Sequence, residues 1–156
     1  MRSRTSTWFI CKVRYTKVTD DGTEKKVTES YVVNSLSFTE AEARIMKEMA
    51  QYVSGAFEIA DISHAPFSEI FFTEDDAADK WYKSKLQFVT IDEKTEKEKK
   101  TTVTYLVQAD SLEGARKNVD EVMAGTMIDY VITAVNETAI MDVFEYTDND
   151  KKEYEP

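Results

Sequence analysis

The sequence holds one cysteine, one histidine, two prolines and four glycines in 156 residues. A single cysteine, Cys11, excludes an internal disulfide and a structural zinc site built on thiolates. A single histidine, His64, excludes an H-E-x-x-H metal motif and leaves at most a minimal catalytic dyad. Four scattered glycines cannot build a phosphate-cradling loop, and so few Gly and Pro argue against long irregular loops. No apolar run approaches the length of a membrane span, and the polar segment 1–7 has no apolar core of a signal peptide. Positive charge is also short: 20 Lys and Arg face 30 Asp and Glu, for a net charge of -10. Such a chain is repelled at long range by duplex nucleic acid and by anionic membranes, although 20 cations still permit local basic patches. A reducing cytosol is the expected compartment, with no membrane partner.

What is present is a folded protein's composition, 42% hydrophobic and 12% aromatic. One pattern occurs twice. W-F-I-C-K-V-R-Y-T-K-V opens at Trp8, and W-Y-K-S-K-L-Q-F-V-T-I opens at Trp81. A shift of 73 positions carries Trp8 onto Trp81, Lys12 onto Lys85, Tyr15 onto Phe88, Ile59 onto Ile132 and Phe71 onto Phe144. The only two tryptophans fall at equivalent places.

Within the first copy, residues 8–18 alternate, and Phe9, Cys11, Val13 and Tyr15 form the apolar side of a strand. Thr19-Asp20-Asp21-Gly22 is a turn, and Val27–Val33 returns as a second strand. Thr39-Glu40-Ala41-Glu42 matches a capping box, with Phe38 as a staple before it, and Ile45, Met49 and Val53 make a helical stripe that Gly55 ends. Residues 56–62 and 68–73 read as strands, separated at Pro66. The second copy repeats this order. Strands at 81–91 and 101–107 flank a charged tip, 92–100, without a good two-residue turn. A helix capped at Asp110 and stopped at Gly125 follows, then strands at 127–135 and 140–146.

The expected fold is therefore α+β: a tandem pseudo-twofold repeat of strand–strand–helix–strand–strand units, with antiparallel sheets each covered by one helix. One copy alone has a marginal core. The expectation is one compact domain over 1–156, built from repeats 8–73 and 81–146, with a frayed N-terminus and an acidic C-terminal tail.

The second copy also carries a resemblance. Asp79-Lys80-Trp81-Tyr82-Lys83, Ile91-Asp92-Glu93-Lys94, Leu106-Val107-Gln108-Ala109, Gly125-Thr126-Met127-Ile128-Asp129-Tyr130 and Ile140-Met141-Asp142-Val143-Phe144 resemble an uncharacterised domain family of unknown function. Its members are short proteins of Bacteroidetes and their crAss-like phages. The resemblance implies an intracellular protein of bacterial or phage origin, and it carries no catalytic residue.

Chemistry is sparse. His64, with Asp61 and Glu69 near it in sequence, is a candidate base or ligand, against the plainer role of a histidine in a Pro-containing bend. Cys11 points inward as a core thiol. The paired acids Asp20/Asp21, Asp75/Asp76, Asp92/Glu93 and Asp148/Asp150 sit in turns and do not converge by sequence alone. No catalytic, cofactor or metal residue is assigned. The candidate binding surface is Trp8, Lys12, Arg14, Trp81, Lys83, Lys85, Lys97 and Lys99. An exposed indole flanked by cations would be a stacking platform for single-stranded nucleic acid, whereas indoles buried where the two repeats meet would account for the same residues as core. The leading expectation is a non-enzymatic binding or adaptor protein that engages a partner protein through a pseudo-symmetric sheet surface and can dimerise through open strand edges. The alternatives are a single-strand nucleic-acid-binding accessory of phage replication, or an acidic nucleic-acid mimic that inhibits a host protein.

Overall fold

The computed structural model describes residues 1–147; the paired acids and tail beyond lie outside the described residues. The order is β1 (Arg2–Arg4), β2 (Trp8–Val18), β3 (Glu24–Asn34), α1 (Phe38–Tyr52), β4 (Phe57–His64), β5 (Glu69–Phe72), β6 (Lys80–Ile91), β7 (Glu98–Ala109), α2 (Leu112–Ala124), β8 (Asp129–Glu137) and β9 (Ile140–Phe144). The mixed α+β class follows the sequence expectation. The chain forms two units: one holds 6–65 and 139–147, the other holds 1–5 and 66–138.

These units do not coincide with the two repeats. The first has the sheet order β4-β2-β3-β9, the second β1-β5-β7-β6-β8. Strand β5 ends the first repeat in sequence yet pairs with β7 of the second, and β9 ends the second repeat yet pairs with β3 of the first. Both pairings are parallel, which corrects the expectation of wholly antiparallel sheets. The connectors explain why. His64-Ala65-Pro66-Phe67-Ser68 and Thr138-Ala139 lack the Asn-Gly or Gly residues that a tight hairpin needs, so neither last strand folds back on its predecessor. The two departures are alike in detail. Ala65 N–H donates to the Trp8 carbonyl at 2.8 Å, and Thr138 N–H to the Trp81 carbonyl at 3.0 Å.

The duplication shows elsewhere in the backbone. The β2·β4 ladder shifts register between Lys12 and Val13, and the β6·β8 ladder shifts at the equivalent Lys85 and Leu86. Both shifts place one extra residue on an edge strand, a bulge that twists the edge and hinders further pairing.

One face of each sheet meets its helix. In the first unit Phe9, Cys11, Val13, Tyr31 and Val33 pack with Ala41, Ile45 and Met49 of α1. In the second, Phe71, Leu86, Tyr105 and Val107 pack with Val119 and Met123 of α2, while Tyr82 and Ala109 pack with Ala115. Full burial of each large apolar side chain contributes about 1.5–3 kcal/mol, so these helices are held mainly by their stripes.

The caps differ from the expected ones. Helix α1 begins two residues earlier, with Ser37 as cap: its hydroxyl accepts from Glu40 N–H, and Glu40 reaches back to Leu36 N–H at 3.2 Å. The same S/T-x-x-E logic holds, but Ser37-x-x-Glu40 outcompetes Thr39-x-x-Glu42, because Phe38 is already helical. Helix α2 is capped by Ser111, not Asp110, through Gly114 N–H at 3.0 Å. Helix α1 ends before Gly55, with Val53 as C-cap, whereas Gly125 does end α2. The N-terminus is not frayed: Arg2–Arg4 pairs with Ile70–Phe72, and the Arg2 guanidinium lies 4.2 Å from the Phe72 ring centroid. A polar three-residue strand carries no periodicity by which to find it.

Candidate functional site

The expected binding surface separates into buried and exposed parts. Trp8 and Trp81 are 2% and 4% exposed, so neither indole can act as a stacking platform. Their neighbours Phe9 and Tyr82 are buried too. Alternation places one member of each pair on the helix-covered face. The opposite face is also apolar at this end, with Val32 and Val143 in one unit and Ile70, Phe72 and Leu106 in the other. Trp81 packs edge-on against Phe72 with centroids 5.5 Å apart.

Farther along the same faces the side chains turn polar. Lys12, Arg14 and Lys85 are exposed and Lys83 is half-buried. Arg14 is paired with Glu58 of β4 at 2.8 Å, and Lys12 stands opposite Asp61. Beside these lies an open groove of about 340 Å³, lined by Arg14, Tyr15, Thr16, Lys26, Phe57 and Glu58. Lys97 and Lys99 stand exposed near the β6–β7 tip. That tip is a bonded turn: Asp92 N–H donates to the Lys97 carbonyl at 2.9 Å, Glu96 N–H to the Asp92 carbonyl at 2.8 Å, and Glu96 takes a positive φ of 56°.

The Cys11 thiol is fully buried, and burial, with Asp61 adding to it, pushes its pKa up to about 12, which removes the thiolate at neutral pH. His64 ends β4 and packs against the rings of Phe9 and Phe38, with centroids 4.7 and 4.8 Å away. Tyr15 donates to Glu29, and that hydrogen bond is the main cause of its pKa rising to about 12. Tyr130 donates to Asp120 at 2.7 Å, which raises its pKa as well. Partial burial, and then Glu48, raises Asp142. Among the described residues, no group of three or more His, Cys, Asp or Glu is placed to hold a metal ion.

Sequence reasoning missed a polar clasp that receives each exchanged strand. In the first unit the Asn34 side chain accepts from Tyr146 N–H at 2.7 Å and donates to the Tyr146 carbonyl at 2.9 Å. Arg44 of α1 donates to the Asn34 carbonyl, pairs with Glu40 at 2.9 Å and lies over the Tyr146 ring. The second unit repeats the plan with other residues. Gln108 accepts from Thr73 N–H at 3.0 Å, and Asn118 of α2 donates to the Gln108 carbonyl at 3.1 Å. Each clasp residue stands ten positions before its helical partner. That spacing is visible in the sequence once the repeats are aligned, but its purpose is not.

Charge is segregated by element. Residues 53–79 and 125–147 hold seven and four acidic residues and no Lys or Arg. The hairpin 8–34 has five cations against four acids, and the hairpin 80–109 seven against four. Twelve of the 20 cations of this acidic chain thus lie on its two long hairpins. The arrangement offers surfaces for binding, and no enclosed cleft with convergent reactive groups lines up among the described residues.

No helix among the described residues is long and apolar enough to cross a membrane. No curated protein and no solved structure matches the chain. One family model does match, over residues 7–146, and so takes in both repeats together with the exchanged strands. The chain belongs to the family described as a domain of unknown function, DUF4494.

Proposed function

We propose that the protein is a non-enzymatic binding module, and that its two long hairpins present the contact surface to a partner protein. The observation that supports this most directly is the concentration of cations on the two hairpins, with Lys12 and Lys85 at equivalent positions, in a chain of net charge -10. The single cysteine, Cys11, is buried and has no disulfide partner, which fits a cytosolic setting. Cross-linking of the pure protein in a lysate of its source cells, with sites mapped by mass spectrometry, tests the reading. Cross-links confined to 8–34 and 80–109 and to one reproducible partner are expected. Robust hydrolase turnover that a single acidic-residue variant abolishes would overturn it.

Single-stranded nucleic acid is the second reading. The cationic hairpins favour it, whereas burial of Trp8 and Trp81 removes the aromatic platform on which it first rested. No shift of a labelled oligonucleotide at low salt would eliminate it.

A further inference from the structure

The two sheets share a backbone plan but not a charge pattern, and the difference selects one face. In the first repeat the face opposite α1 carries Lys12 and Arg14 on β2, with Asp61 and Glu58 directly beside them on β4. Arg14 is neutralised where it stands by an ion pair of 2.8 Å, and Lys12 has the acid Asp61 as its cross-strand neighbour. In the second repeat the corresponding β8 positions are Ala134, beside Lys85, and Val131, beside Gln87; Lys83 stands beside Asn136. Neither Lys83 nor Lys85 forms an ion pair among the described residues. On their other side β7 supplies Leu106 and Thr104, which are uncharged. The nearest acids on this face are Asp129, beside Val89, and Glu98, beside Ile91, both toward the distal end of the ribbon. Lys100 stands between them on β7, opposite Val89, and matches Lys26 of the first repeat.

We propose that this face of the second-repeat sheet, centred on Lys83 and Lys85 and flanked by Val131 and Ala134, is the docking surface for an acidic extended segment of a partner protein. The inference rests on the binding-module reading and names its surface and partner. Charge complementarity carries it: two ammonium groups with no ion-pair partner among the described residues are a mismatch on a sheet face of a chain of this acidity. Lys83 and Lys85 lie two residues apart on one strand, about 6.6 Å, which is also the spacing of same-side residues in an extended peptide. The flank fits such a peptide better than a nucleic acid strand. Val131 is 54% exposed and offers apolar contact, while the nearby Trp81 is 4% exposed and offers no ring for a base to stack on. The first-repeat face, where Arg14 is ion-paired with Glu58 and Lys12 has Asp61 beside it on β4, is the built-in control.

The test uses the full chain and two labelled probes, a twelve-residue peptide of alternating Glu and Val and a twelve-residue oligothymidylate, followed by fluorescence anisotropy at about 50 mM salt, where surface charges are weakly screened. The peptide is expected to bind and to weaken as salt rises. Lys83→Glu with Lys85→Glu should weaken it about tenfold, as expected for reversing two rim charges. Lys12→Glu with Arg14→Glu should change it by less than about twofold, since each of those cations already has an acid beside it on β4. Circular dichroism establishes that both double variants fold; Lys85→Gln alone, which only removes charge, serves if the reversal does not. No peptide binding, equal losses from the two double variants, or tighter binding of the oligonucleotide would each overturn the proposal. Cross-links to the first hairpin alone would overturn it too while leaving the binding-module reading intact.

Discussion

Asn34 shows how much one side chain can hold. Its amide takes both polar groups of the Tyr146 backbone, so it acts as one more rung for a strand that has just ended. Asn34→Ala leaves a buried N–H and C=O unpaired and should cost about 2–4 kcal/mol in urea unfolding. Gln108→Ala removes one hydrogen bond at a half-buried site and should cost about 1 kcal/mol. Equal costs would argue against the clasp as drawn. Cys11 gives a second residue-scale prediction. Its pKa is raised from 9.0 to about 12 in the folded chain, so above pH 9 the unfolded state loses a proton that the folded state keeps. Stability is therefore full below pH 9 and falls as the pH climbs toward 12; Tyr15, raised from 10.0 to about 12, adds in the same direction. Cys11→Ala should flatten part of that alkaline loss. In the native chain, a thiol reagent at pH 8 should label Cys11 only on unfolding.

At the scale of elements, most of the fold was legible. Alternation placed Phe9, Cys11 and Val13 on the buried side of β2, and the stripe of Ile45 and Met49 placed α1. The caps were misassigned by one or two residues because Ser37-x-x-Glu40 and Thr39-x-x-Glu42 overlap, and packing of the helix decides between them. The sequence left the tryptophans open between core and surface for a different reason. Alternation tells which face a side chain is on, but not whether that face is covered, and Trp8 shares its face with Lys12 and Arg14. Gly114 lies in the first turn of α2, where a glycine is no helix former. A Cβ there would meet the Asp110 carboxylate oxygen at 2.2 Å, so the glycine makes room for the residue before the cap. Gly114→Ala should thus gain little or lose stability in the native chain, yet stabilise an Asp110→Ala background by about 1 kcal/mol, the helix-propensity gain of alanine over glycine. A double-mutant cycle in urea measures that coupling, and additivity would contradict it.

For the whole molecule, periodicity could reveal the duplication but not the exchange. The hydrophobic pattern of Ile70-Phe71 or Val143-Phe144 fixes a strand and its faces and is silent about which neighbour it joins. Both repeats lend their last strand to the other's sheet, and the family model spans the pair, 7–146, as one match. The candidate surface was half legible for a related reason: the lysines could be found in sequence, but their unneutralised state depends on the β6·β8 register, which sets Ala134 and not an acid beside Lys85.

The most direct test divides the chain in the loop after β5, between Asp75 and Asp76. Residues 1–75 then lack β9, and residues 76–156 lack β1 and β5, so neither piece holds all strands of either sheet. Size-exclusion chromatography with circular dichroism should find no folded monomer of either fragment. On mixing, a one-to-one complex with the native spectrum should form. A folded, monomeric 1–75 or 76–156 with native-like stability would contradict the strand exchange on which the account rests.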